Sequence, residues 1–137
     1  MPVDPRTPVL IGYGQVNQPE EEPVEPVDLM AAAARQAADA AVLAAVDAVR
    51  VVNLLSAHYR DPGRLLAERL GADPATTGYT AMGGNTPQTL LNRTCADIQD
   101  GRAELVLLSG AETWRTRTRL RAQGGKLAWT QQDSSVP

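Results

Sequence analysis

The sequence predicts an α/β fold in which a mostly parallel sheet is covered by helices, with the element order βαβαβαβ. Two observations favour this fold. Short apolar runs alternate with segments of helical spacing, and glycines or prolines stand at the junctions between them. Residues 78–112 show the pattern best, as a strand, a glycine turn, a helix, a glycine stop and a second strand. At 137 residues the chain is long enough for one domain with a hydrophobic core.

The first half of the chain supplies two predicted strands and two helices. Residues 8–16 are apolar and predict a buried first strand, and residues 17–27 are an exposed loop rich in proline and glutamate. Asp28 is expected to cap an alanine-rich helix that reaches about residue 41. A second strand is predicted over residues 48–55, and a short helix over residues 63–70 before the glycine at position 71.

The second half is organised around two adjacent glycines. A third strand over residues 76–82 leads into the turn Gly83-Gly84. Asn85 or Thr86 caps the next helix, and Pro87 lies in its first turn, where a missing N–H costs nothing. Many α/β enzymes place a nucleophile or bind an anion where such a helix begins. No nucleophilic side chain stands at this turn.

Composition excludes several classes of protein. The net charge of -3 argues against a general nucleic-acid binder, which would be basic. The longest apolar tract is interrupted by charged side chains and is no membrane span, and the N-terminus lacks the pattern of a signal peptide. A single cysteine cannot form an internal disulfide, which is typical of a reducing cytoplasm. We therefore expect a cytoplasmic protein without nucleic-acid or membrane partners, and no metal site.

Residues 98–112 carry a resemblance to a known family. Ile-Gln-Asp-Gly-Arg-Ala (98–103) forms a helix stop at Gly101, residues 104–108 form a short apolar strand, and Leu-Ser-Gly-Ala-Glu (108–112) ends that strand. These motifs resemble those after the nucleophile helix of the thiolase superfamily. The family's spacing, counted back from Gly101, puts the nucleophilic cysteine at position 84, where this chain has Gly84. The resemblance covers the N-terminal half of a thiolase. It implies a half-domain over residues 1–113, followed by a basic, irregular tail over residues 114–137 that begins the family's loop region.

The family's activity is acyl transfer between coenzyme A thioesters in lipid metabolism. The resemblance implies a relative of acetyl-CoA acetyltransferases that has lost its nucleophile at Gly84 and lacks the family's C-terminal catalytic histidine and second cysteine. We therefore expect no acyl transfer by this chain alone. Two alternatives are a non-catalytic subunit that binds a coenzyme A thioester or pairs with a second chain as a scaffold, and a truncated gene product without an independent role.

A basic cluster is the best candidate for a ligand site. It consists of Arg115, Arg117, Arg119 and Arg121, which alternate with other residues and have no acidic neighbour. Arginine forks suit phosphate groups, and the resemblance implies that this region meets coenzyme A. The alternative is a flexible basic tail. No tightly bound cofactor is expected. A half-domain exposes apolar surface, which favours a homo-oligomer or a second thiolase-like chain as partner.

Three further side chains carry hypotheses. Cys95 shares a helical stripe with Leu91 and Ile98, so we expect it in the core and not as a replacement nucleophile. His58 is either a loop residue or a base at the carboxyl end of the second strand. Glu112 either orients a loop or helix or touches a ligand.

Overall fold

The sheet has three parallel strands, which confirms the predicted α/β class. The computed structural model describes residues 2–17, 24–125, 129–130 and 132. The strands are β1 (Ala48–Val51), β2 (Thr76–Tyr79) and β3 (Val106–Ser109), in the order β2-β1-β3. Ala48 pairs with Thr76 on one side and with Val106 on the other, so β1 is the central strand.

The predicted first strand over residues 8–16 is not part of this sheet, so that expectation was wrong. These residues form no assigned strand, and Val9, Leu10 and Tyr13 are each more than 70% exposed. Both edges of β1 are occupied, one by β2 and one by β3, so the segment has no place beside the central strand. The segment instead crosses helix α1 so closely that a Cβ on Gly12 would clash with the carbonyl oxygen of Ala37.

Five helices connect and flank the strands in the described part of the chain. They are α1 (Pro26–Ala37), α2 (Ala40–Ala44), α3 (Pro62–Leu70), α4 (Thr86–Gln99) and α5 (Trp114–Ala122). Helix α1 begins before Asp28, which lies in its first turn and does not cap it. Asp39 starts the short α2 by accepting a hydrogen bond from the N–H of Val42, so the predicted single helix is broken in two.

Three of the helix ends follow their local sequence closely. Asp61 caps α3 by accepting from the N–H of Arg64 at 3.0 Å, and Gly71 ends it at φ 69°. Gly101 adopts φ 74° after α4, as a helix stop requires. Trp114–Ala122 is helical, whereas the sequence led us to expect an irregular segment after residue 113.

The hydrophobic core lies on one face of the sheet. Helices α1 and α3 cover Val49 and Val51 of β1, and the most buried side chains there include Met30 and Leu66. Because side chains alternate along a strand, Arg50 points to the opposite face, toward α4. The chain that leaves β1 therefore runs to a helix on the core face, and the chain that leaves β2 runs to a helix on the other face.

Candidate functional site

The loops that follow the three strands meet at the carboxyl edge of the sheet, where ligands bind in many α/β proteins. Glu112, just after β3, joins two of these loops. Its carboxylate accepts hydrogen bonds from the backbone N–H groups of Leu55 at 2.8 Å and Ser56 at 2.7 Å. The Ser56 hydroxyl oxygen in turn accepts from the N–H of Thr113 at 2.9 Å. Glu112 thus orients the loop after β1, one of the two roles that the sequence allowed.

Gly84 lies in the loop between β2 and α4, two residues before the helix begins. Its φ is not positive, and a Cβ built on it would have no atom within 4 Å. The position would accept a side chain without a clash. The Thr86 hydroxyl donates to the carbonyl of Ala81 at 3.4 Å, and Asn85 stands at the N-cap without a side-chain bond. Neither side chain therefore caps α4 in the way that the sequence suggested.

An apolar cavity of about 590 Å³ opens beside the start of α4, at the carboxyl end of β3. Its helical wall comes from Pro87, Leu90 and Leu91, and its strand wall from Leu108 and the residues through Glu112. A cavity of this size and apolar character lies within the range that holds small organic ligands.

The face of α4 that packs on the sheet is polar. Arg50 donates to the Thr94 hydroxyl at 2.8 Å and to the Asp97 carboxylate at 2.6 Å, and Arg102 contacts the same carboxylate. The hydrogen bonds from Arg50 and Arg102 hold the pKa of Asp97 below its usual range. Thr94 and Asp97 are accordingly the buried residues of this helix.

This packing corrects the expectation that Cys95 is a core residue. Cys95 is half-buried and lines a groove of about 450 Å³ together with Leu91 and Ile98. Leu91, on the same stripe, is 43% exposed. The apolar stripe exists as predicted, but Arg50 attracts the polar face of α4 to the sheet and leaves the stripe half open.

The predicted arginine cluster lies on α5. Arg115 and Arg121 are exposed, whereas Arg117 and Arg119 are half-buried. Arg117 lies 5.6 Å from the ring centre of Trp114 and donates to the carbonyl of Leu55 at 3.0 Å, so it also ties α5 to the loop after β1. At about 100° per residue, Arg115 and Arg119 share one helical face and Arg117 and Arg121 another. The cluster therefore presents two pairs of cations.

His58 is exposed at the mouth of a separate cavity of about 360 Å³ between the loops after β1 and β2. Within the described ranges it makes no hydrogen bond or ion pair. No nucleophilic side chain is held against it there, so its predicted role as a base stays a prediction.

A buried ionic network was missed by the sequence analysis. Tyr59 donates to the Glu25 carboxylate at 2.7 Å, and Arg69 contacts Glu25 at 3.2 Å and Asp28 at 2.6 Å. Burial and the Glu25 carboxylate raise the pKa of Tyr59 far above its ordinary range. Thr130 also donates to Glu25 at 2.8 Å from 105 positions away. No local pattern in the sequence links these residues, because they come from four separate segments.

Two absences concern the described residues only. They contain no group of three or more His, Cys, Asp or Glu side chains placed to hold a metal ion. Among their helices, none is both long and apolar enough to cross a membrane.

Comparison with known proteins relates the chain to one named group. No protein-family model and no curated protein sequence matches it. Among solved structures it is similar to a monomeric SCP2-thiolase like protein type 1 from Mycobacterium smegmatis, with 33% sequence identity and a TM-score of 0.69. The match covers 79% of this chain and 24% of that protein, so the chain spans about a quarter of its length. The chain is therefore related in fold to an SCP2-thiolase-like protein.

Proposed function

We propose that the chain is a relative of the acyltransferases that act on coenzyme A thioesters, and that it lacks the nucleophile for acyl transfer. One observation carries the proposal. Gly84 lies just before a 14-residue helix in a thiolase-like fold, at the position where the family's spacing places the cysteine, and a Cβ added there would meet open space. A thiolate there would be stabilised by the helix dipole, but glycine offers no side chain to attack a thioester.

Cys95 does not replace the missing group. It lies eleven positions beyond Gly84 in the sequence, roughly 16 Å along a helix that rises about 1.5 Å per residue. It also lies toward the carboxyl end of α4, where the dipole disfavours a thiolate. The proposed function is accordingly binding without acyl transfer by this chain alone.

The cavity beside α4 and the basic helix α5 favour a coenzyme A thioester as the ligand. The cavity of about 590 Å³ suits an acyl or pantetheine chain. Glu112 lines this cavity, and α5, which begins two residues later at Trp114, carries the exposed Arg115 and Arg121. Arginine side chains on that helix would hold the phosphates.

Calorimetry with coenzyme A and acetyl-CoA tests the ligand. We expect binding to the wild-type chain and weaker binding to an R115A/R121A variant, by up to about fivefold for each exposed cation. An R64A/R93A variant removes two cations from other surfaces and should bind as the wild type does. Absence of heat with both ligands, or an equal loss in both variants, would contradict the ligand assignment.

A thiol-release assay with acetyl-CoA tests the lack of catalysis separately. We expect the wild-type chain to release coenzyme A no faster than buffer does. Steady release above that level would show that another group replaces the nucleophile, even if binding is confirmed.

Association with a second chain is part of the same proposal. Strands β2 and β3 are the edges of the sheet, and Val9, Leu10 and Tyr13 expose large apolar side chains. Open edges and apolar patches favour pairing with another copy or with a second thiolase-like chain. Sedimentation over a range of concentrations should show self-association, and a monomer at every concentration would argue against a homo-oligomer.

A further inference from the structure

A crevice opens at the carboxyl ends of β1 and β2, next to the cavity beside α4, with which it shares the lining residue Asn53. The chain after β1 goes to α3 on the core face, and the chain after β2 goes to α4 on the opposite face. Where neighbouring parallel strands send their connections to opposite faces, the loops separate and leave a crevice that binds ligands in open α/β sheets. Here that crevice is a cavity of about 360 Å³.

The walls of this cavity are fixed by hydrogen bonds between the loops. Asn53 donates from its backbone N–H to the Thr80 hydroxyl and from its amide to the Thr80 carbonyl, both at 3.0 Å. The N–H of Leu54 donates to the Tyr79 hydroxyl at 3.2 Å. On the far side, the side-chain oxygen of Gln132 accepts from the N–H groups of Arg60 at 2.8 Å and Asp61 at 2.7 Å. The cavity is therefore preformed, as ligand sites usually are.

The lining mixes apolar side chains with polar ones, and the polar side chains include those of Asn53, His58, Arg60 and Gln132. Leu55 and Met82 are more than half exposed at the cavity, and the buried ring of Tyr59 also contributes to its wall. The Tyr79 hydroxyl accepts from Leu54, and its own hydrogen has no acceptor among the described residues. His58 stands at the same cavity with a ring N–H able to donate.

We propose that this crevice binds a short apolar molecule that carries a carbonyl or carboxylate oxygen. The apolar body lies against Leu55 and Met82, and the oxygen accepts hydrogen bonds from the Tyr79 hydroxyl and from His58. The proposal goes beyond the function proposed above and does not depend on it, because neither Gly84 nor the arginines of α5 belong to this cavity.

Methyl NMR of the full chain, labelled at the methionine methyl groups, tests the site with three probes of equal carbon length. They are 2-hexanone, hexanoate and hexylamine. Met82 lines the crevice, and Met30 is fully buried in the core and serves as an internal control. We expect the ketone or the acid to shift the Met82 signal saturably, in the millimolar range usual for so small a ligand, with Met30 unchanged. The comparison of the two tells a carbonyl ligand from a carboxylate.

The Tyr79→Phe variant tests the hydrogen bond. We expect it to weaken binding by about two- to tenfold, whereas Tyr13→Phe, at a tyrosine that is 84% exposed elsewhere, leaves binding unchanged. An unchanged Met30 signal shows that both variants keep their core. A Met82 signal that moves with none of the probes, equal binding of hexylamine, or equal affinity of the two variants overturns the proposal.

Discussion

A cysteine placed at position 84 should regain the electrostatic environment of a nucleophile. The substitution Gly84→Cys introduces a Cβ with no atom within 4 Å and at a φ that is not positive, so we expect the variant to fold as the wild type does. The thiol would lie just before the 14-residue helix α4, where the helix dipole favours the thiolate. A second substitution, Cys95→Ala, leaves it as the sole thiol in the chain.

The expected size of the effect follows from the helix dipole. At an exposed helix end the dipole stabilises a charge by about 0.3–1 kcal/mol, which lowers a thiol pKa from about 8.5 to about 7.8–8.3. The control is Gln99→Cys in the same background, an exposed position at the opposite end of the same helix. There the same interaction raises the pKa to about 8.7–9.2. At pH 7 the thiolate fractions are then about 5–14% and about 1–2%.

The assay is the pH dependence of alkylation by iodoacetamide, which yields each pKa from the midpoint of the rate profile. Midpoints are compared instead of rates at one pH, because intrinsic nucleophilicity falls as the pKa falls. Intact-mass measurement after incubation with acetyl-CoA should also show more acetylation of G84C than of Q99C. A G84C midpoint equal to or above that of Q99C would refute the assignment of this position to the head of a helix dipole.

Three further predictions concern stability. Leu66 is fully buried in the core, so Leu66→Ala should lower the free energy of unfolding by about 2–5 kcal/mol in urea denaturation; a loss below about 1 kcal/mol would contradict its place there. Burial and Glu25 raise the pKa of Tyr59 above 10.0, so the folded state keeps a proton that the unfolded state releases. The contribution of Tyr59 to the free energy of unfolding is therefore complete below about pH 10 and is lost at higher pH. The stability of Tyr59→Phe should fall less steeply in alkaline solution than that of the wild type, and equal declines would contradict this. The pKa of Asp97 is lowered from 3.8 by Arg50. The contribution of the Asp97 carboxylate to the free energy of unfolding is therefore complete above about pH 4 and is lost in more acidic solution. Asp97→Asn should therefore lose less stability between pH 5 and pH 3 than the wild type does, and a parallel loss would disprove the role of this pair.

Local signals predicted where two helices end, whereas the predicted N-caps Asp28 and Asn85 or Thr86 do not cap their helices. Gly71 and Gly101 were predicted to end their helices, and each has the positive φ of a helix stop. A helix end depends on residues within about four positions of it, so it can be predicted from the local sequence. The same holds for the three strands, whose apolar runs were recognised although the strands are shorter than predicted.

Packing choices were less predictable. The run over residues 8–16 has the composition of a buried strand, but its place beside β1 depends on which other strand pairs there, and β3 does. The burial of α4 depends on Arg50, more than 40 positions from its partners Thr94 and Asp97. A hydrophobic stripe indicates that a helix can bury one face, but it does not say that a charged residue on the sheet will select the other.

The sequence by itself determined the α/β alternation and the position of Gly84 before α4, because strand runs, helix stops and motif spacing are local properties of the chain. The tertiary structure alone decided which distant segments of the chain meet. It brought Glu112 to the loop after β1, joined Tyr59 to Glu25, and opened the crevice between the loops after β1 and β2. The two contacts join groups more than 30 positions apart, and the crevice depends on which face of the sheet each helix covers. Only the folded chain determines these distances and faces.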